Sequence, residues 1–225
     1  PDSPHAQWAG ETLEAVSDHA TKRVWRDRFD RNVLLKQWQA DARLGPVWRM
    51  AGGQVVLAGR HREKGDTRLY HEIEASKFLA VEADVTVPAG AQGRAGLFIA
   101  IERKSQNATV PSFMVGLLRD PREGEVLLMV RKGVNDPEEL ERVSATWPLG
   151  TPVRISFTKK VSESGLARIE VQLDGIPVGA PIPARALKSP AGSIRAGVMA
   201  RADTQREVGA SLDNFDLTFR TTEDG

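Results

Sequence analysis

Glu82 and Asp84, alternate residues of the segment Phe78-Leu-Ala-Val-Glu-Ala-Asp-Val-Thr-Val87, are the side chains most suited by type and spacing to chemistry. Alternate residues of a strand share a face, and a retaining glycosidase needs two carboxyls about 5 Å apart, one serving as acid/base and one as nucleophile. The chemistry open to such a pair is glycoside hydrolysis. A wet strand face is the plainer account of the same pattern.

His61 and His71, with Glu72 and Glu74, carry groups able to ligate a metal or move protons near neutral pH. Their spacing matches no metal signature, and Arg60-His-Arg-Glu-Lys-Gly-Asp66 reads as an exposed charged loop. His71 stands beside Glu82 and Asp84 as a candidate catalytic group, whereas His5 and His19 fall in an irregular N-terminal stretch and are expected in solvent. Asp213, Asn214 and Asp216 are the candidate metal ligands, with oxygens suited to calcium. Strict alternation puts Asp213 with Phe215 on one face and Asn214 with Asp216 on the other, which argues against a site built from this segment alone. The chain has no Gly-rich phosphate loop, nucleophile elbow or Cys/His cluster, and no cofactor is expected.

Trp8, Trp25, Trp38, Trp48, Trp147 and Tyr70 are the large aromatics with a polar atom, and burial is their default. Arg154 and Glu170 fall on neighbouring strands of one hairpin. Glu82, Asp84, Glu102, Arg168, Arg195 and Arg201 occupy related polar faces with mixed signs, which implies mutual neutralisation more than capture of a charged substrate.

The elements that must position these residues are strands. From Val24 onward, apolar and polar residues alternate in segment after segment, each bounded by Gly, Pro, Asn or Asp. Val81, Ala83, Val85 and Val87 share one face of their segment. Ala95 to Glu102 is apolar on both faces and is expected to be a central strand. Phe113 to Val130 and Val153 to Leu173 read as hairpins, Asp174-Gly175 as a tight turn into Ile176-Pro-Val178, and Ser193 to Ala200 and Leu212 to Phe219 as the last strands. Gly179 to Gly192 reads as a loop with a turn at Ala184 to Leu187. The pattern suggests about twelve strands, with no β-α alternation and no repeat. Residues 1–23, with Leu13, Val16 and Ala20 at helical spacing, read as a linker or short helix, 24–220 as one domain and 221–225 as a tail.

The 225 residues include 31 basic and 30 acidic side chains, so no general field draws the chain to nucleic acid. Cysteine is absent, which excludes disulfides, thiolate metal sites and cysteine nucleophiles. The apolar runs Phe78 to Val81 and Val126 to Val130 fall far short of the roughly 20 residues of a membrane-spanning helix. The start at Pro1, with no initiator Met or export signal, is expected of a processed or excised piece of a longer product.

Trp25-Arg-Asp-Arg-Phe-Asp30, Trp48-Arg-Met-Ala-Gly-Gly-Gln-Val-Val-Leu57, Arg94-Ala-Gly-Leu-Phe-Ile-Ala100, Ile169-Glu-Val-Gln-Leu-Asp-Gly-Ile-Pro-Val178 and Leu212-Asp-Asn-Phe-Asp-Leu217 together resemble the concanavalin A-like lectin/glucanase sandwiches. That group includes laminin-G-like modules and the bacterial 3-keto-disaccharide hydrolases. The resemblance covers nearly all of 24–220 and implies an all-β, two-sheet antiparallel jelly roll. Laminarinase-type members use E-x-D-x-x-E, and Val87 stands here where the second Glu would be. Because the fold hosts lectins, hydrolases and adhesion modules alike, the expectation is a noncatalytic carbohydrate-binding or interaction module of a larger exported bacterial protein. A glycoside-processing hydrolase and a purely structural extracellular domain are the alternatives. A glycan or another protein is the expected partner, the setting periplasmic or extracellular, and the oligomeric state is left open.

Overall fold

The computed structural model describes residues 22–31, 33–41, 45–104, 109–188 and 192–221, which form sixteen strands and one 3₁₀ turn at Arg185–Lys188. In chain order the strands begin β1 (Lys22–Asp27), β2 (Trp38–Ala40), β3 (Val47–Ala51), β4 (Gln54–Arg60), β5 (Gly65–Glu74) and β6 (Phe78–Thr86). They continue β7 (Arg94–Lys104), β8 (Thr109–Asp120), β9 (Glu125–Arg131), β10 (Glu139–Val143) and β11 (Val153–Val161). The last are β12 (Ala167–Leu173), β13 (Ile176–Pro177), β14 (Ile182–Pro183), β15 (Ser193–Ala202) and β16 (Glu207–Arg220). The linker or helix expected over 1–23 lies outside the described residues except for Lys22 and Arg23, which belong to β1.

One sheet runs β13-β12-β11-β6-β16-β4-β3, with β1 paired to β16 and β14 to β12; the other runs β10-β9-β8-β7-β15-β5-β2. The strand pairs within both are antiparallel. The surplus over about twelve strands includes β2 of three residues and β13 and β14 of two each, too short to display a period.

Local chemistry explains the turns. Asp174 and Gly175 both hold positive φ (49° and 78°), as a two-residue type I′ hairpin requires between Leu173 and Ile176. The β8–β9 turn is closed by Asp120, whose Oδ1 accepts the amides of Arg122 (3.0 Å) and Glu123 (3.3 Å).

Burial follows the alternation. Val81, Ala83 and Val85 of β6, Leu97 and Ile99 of β7, and Leu212, Phe215 and Leu217 of β16 are buried in the core between the sheets. The central strand β7 is buried on both faces as expected, since Phe98 and Ala100 join Tyr70, Met114, Leu118, Met129 and Met199 in a second apolar layer on the far side of the β7 sheet. Among the described residues no helix is long and apolar enough to cross a membrane.

Candidate functional site

The first polar constellation forms where β11, β6 and β16 lie side by side. Register places Asp84 between Arg154 of β11 and Asp213 of β16, and Glu82 between Ser156 and Asp216. Cross-strand partners share a face, and the inward positions of β6 are apolar, so Glu82, Asp84, Arg154, Asp213 and Asp216 lie on the outer side of this sheet. Arg154 bridges them: its guanidinium donates to Glu82 (3.3 Å), Asp84 (3.2 Å) and Asp216 (3.2 Å). Burial works against the Arg154 cation, but Glu82 and Asp84 outweigh it and raise its pKa. The cation thus bridges the two carboxylates whose separation would have to admit a glycosidic oxygen. Val87 is fully buried in the core.

The candidate metal ligands meet these same groups, with one correction to the alternation expected of them. A β-bulge lies between Asp213 and Asp216, and Asn214 adopts a left-handed backbone (φ 47°). The extra residue brings Asp213 and Asp216 to one face and leaves Phe215 in the core. Asp213 accepts the Asn214 amide (2.7 Å), the Asn214 side-chain amide donates to Asp84 (2.7 Å), and Asp216 accepts from Arg28 (3.3 Å) as well as from Arg154. Cations surround Asp216, and among the described residues no group of three or more His, Asp or Glu side chains is disposed to hold a metal ion.

His71 belongs to a different place. It lies on β5, in the other sheet, and points inward, its ring 4.4 Å from that of Trp25 and 6.5 Å from that of Trp38. It does not meet Glu82 and Asp84. Nor does it meet Glu72 and Glu74, because alternation along β5 turns Glu72 to the outer face, where it pairs with Arg195. His61, expected in an exposed loop, is fully buried: its amide donates to the Arg206 carbonyl (3.0 Å), its carbonyl accepts the Gln205 amide (2.8 Å), and Nε2 lies 3.1 Å from Thr67 Oγ1. Burial lowers the pKa of both imidazoles. His5 and His19 lie outside the described residues, as does Trp8. Trp38 and Trp147 are buried, and Trp25 and Trp48 pack against the core.

The second constellation crosses the outer face of the β7 sheet. Asp66, Arg68, Tyr70 and Glu72 recur at every second residue of β5, opposite Arg201, Met199, Gly197 and Arg195 of β15. Hydrogen bonds link them into a ladder. Ser193 donates to Glu72 (2.6 Å), and Arg195 donates to Glu72 (3.1 Å) and Glu102; Arg68 donates to Glu102 (2.6 Å) and Asp66 (2.9 Å); Arg201 donates to Asp66 (2.9 Å) and Glu138. The arginines roof the apolar layer, Arg195 lying 4.6 Å from the Tyr70 ring centre and Arg68 5.5 Å from that of Phe98.

Burial alone would raise the pKa of Asp66, but hydrogen bonds and charge from Arg201, with Arg68, hold it below the usual carboxylate value. Burial raises that of Tyr70. Among the charged members Glu72 is the most open, with 30% of its side-chain surface in solvent, followed by Arg195 and Arg201 at 22% each. The mutual neutralisation expected of Glu102, Arg195 and Arg201 is what the structure contains. Asp66, Arg68 and Glu138 were not singled out from sequence; the signal for the first two is the polar period along β5.

No family model and no curated protein sequence matches the chain. Solved structures do. The chain is similar to a GlcNAcα1-4Gal-releasing endo-β-galactosidase from Clostridium perfringens (TM-score 0.62, 9% identity, 88% of this chain and 63% of that one), and so spans less than two thirds of that enzyme's length. It is similar to the catalytic domain of an endo-1,3-β-glucanase, or laminarinase, from Thermotoga petrophila (TM-score 0.59, 12% identity, 88% and 97%). It is also similar to the carbohydrate recognition domain of Emp47p (TM-score 0.58, 16% identity, 90% and 98%). At such identities the likeness is one of fold, and together with the two antiparallel sheets it establishes this chain as a β-sandwich of the concanavalin A-like, galectin-like type.

Proposed function

We propose that this protein is a noncatalytic carbohydrate-binding module whose ligand lies against the outer face of the β7 sheet, over Glu72, Arg195 and Tyr70. The observation that carries the reading is the ladder itself. Arg195 and Glu72 offer fixed guanidinium donors and carboxylate acceptors to sugar hydroxyls, held by mutual hydrogen bonds and by Tyr70 beneath, so little freedom remains to be lost on binding. Tyr70 is buried, so recognition rests on hydrogen bonds from the charged groups more than on an open aromatic platform. The similar fold of a carbohydrate recognition domain supports the same reading.

The noncatalytic part draws support from Arg154, which bridges Glu82 and Asp84, and from the placement of His71 in the opposite sheet facing inward. The test is calorimetric titration against a panel of neutral and acidic oligosaccharides, alongside hydrolysis assays on laminarin and cellulose fragments. Binding without turnover is expected, with Arg195→Ala weakening it about 10-fold to 100-fold. Glu72→Gln keeps the shape of the site and is expected to weaken binding less. Turnover that disappears in Glu82→Gln, or the absence of binding to every glycan, would overturn the reading.

A further inference from the structure

Beyond the ladder, at the end of the same sheet, the turns after β4, before β7, after β8 and after β15 meet around a cleft of about 270 Å³. Backbone bonds tie these turns together: the Gln92 and Gly93 amides donate to the Glu207 carbonyl (2.9 and 3.0 Å), and the Gln205 amide donates to that of His61. Gly93 is required there, since a Cβ would stand 2.6 Å from the Arg201 carbonyl oxygen and from Val208.

Five cationic side chains line the cleft against two carboxylates. Arg94 pairs with Asp120 (2.7 Å) and Lys64 with Asp203 (3.8 Å), while Arg201 is committed to Asp66 and Glu138. The Arg122 and Arg206 guanidinium groups make no hydrogen bond or ion pair among the described residues. Two planar forks with no partner among the described residues, in one concavity beside a third arginine that belongs to the ladder, have the donor geometry that suits an oxyanion.

We propose that this cleft binds the carboxylate or sulfate group of an acidic saccharide, whose neighbouring rings run onto the ladder through Arg201. The inference rests on the glycan-binding reading and adds to it the ligand's charge and direction. The cleft volume lies just below the range of about 300–1,000 Å³ typical of pockets that enclose a whole ligand, so it suits one charged unit of a longer chain.

The experiment titrates the protein with a tri-uronate, a sulfated trisaccharide, their neutral counterpart and inorganic sulfate, at low and high salt, and repeats each with Arg122→Gln/Arg206→Gln. An acidic trisaccharide is expected to bind about tenfold more tightly than the neutral one at low salt. That preference should shrink with salt and vanish in the double variant, whose unchanged circular dichroism shows it folded. Whether the uronate or the sulfate ester is favoured distinguishes the two sources of charge. Equal binding of acidic and neutral trisaccharides, or a preference that survives in the double variant, overturns the cleft assignment and leaves the glycan reading standing. Binding of inorganic sulfate with no saccharide bound overturns both.

Discussion

At the scale of single residues, the two described histidines show how burial decides chemistry. His61 and His71 each have a pKa lowered below the ordinary histidine value by burial, against smaller opposing effects from neighbouring hydrogen bonds and, at His61, the Asp66 charge. The unfolded chain takes up protons at these sites below about pH 6.5 while the native protein does not, so acid favours unfolding. The melting temperature is therefore expected to fall between pH 7 and pH 5. Thermal melts across that range should show a shallower fall in His61→Gln and His71→Gln, and an unchanged slope in both would remove the histidines from the account. The same burial argues against reading His71 as a proton carrier for Glu82 and Asp84, which lie on the outer side of the opposite sheet.

At the scale of elements, β16 is the strand on which the polar cluster depends. Its N-terminal part pairs with β4 up to Leu212, and its C-terminal part pairs with β1 from Phe215. The bulge at Asn214 marks this exchange of partners. A β-branched residue is poorly suited to a left-handed backbone, and Asn214→Val is expected to destabilise the protein by roughly 1–2 kcal/mol through the backbone alone. Asn214→Gly keeps the conformation and loses only the hydrogen bond to Asp84, so denaturant titration should find it the milder change. A glycine variant as unstable as the valine one would mean that the backbone conformation is not what matters at this position.

At the scale of the molecule, the two sheets share a single continuous core cluster containing residues of β6 and β16 from one and of β5, β7 and β15 from the other. Ile99 sits fully buried in it, and Ile99→Ala is expected to lower stability by about 2–5 kcal/mol, measured by denaturant titration. Because neither sheet owns a separate core between them, far-ultraviolet and near-ultraviolet circular dichroism should report one coincident unfolding transition. Two resolved transitions would contradict the shared core. The far-ultraviolet spectrum itself should be dominated by β structure.

The strands, their inward faces and the turns were legible in the sequence because each depends on neighbours a few positions away: Val81, Ala83 and Val85 declare a face by alternation, and Asp174-Gly175 declares a turn by backbone preference. The likeness to lectin/glucanase sandwiches could be recognised from those same segments. The assembly of charges was not legible. Which carboxylate meets Arg154 depends on β6 lying between β11 and β16, strands far away in the chain, and on a one-residue bulge that reverses the facing expected of Asp213 relative to Asp216. His61, in a run of charges, looked exposed and is buried because the turn at Asp203 to Arg206 docks on it through backbone bonds. Tertiary structure alone decided these matters, since period-two patterning records which face a residue takes within its own strand and carries no information about which strand lies beside it.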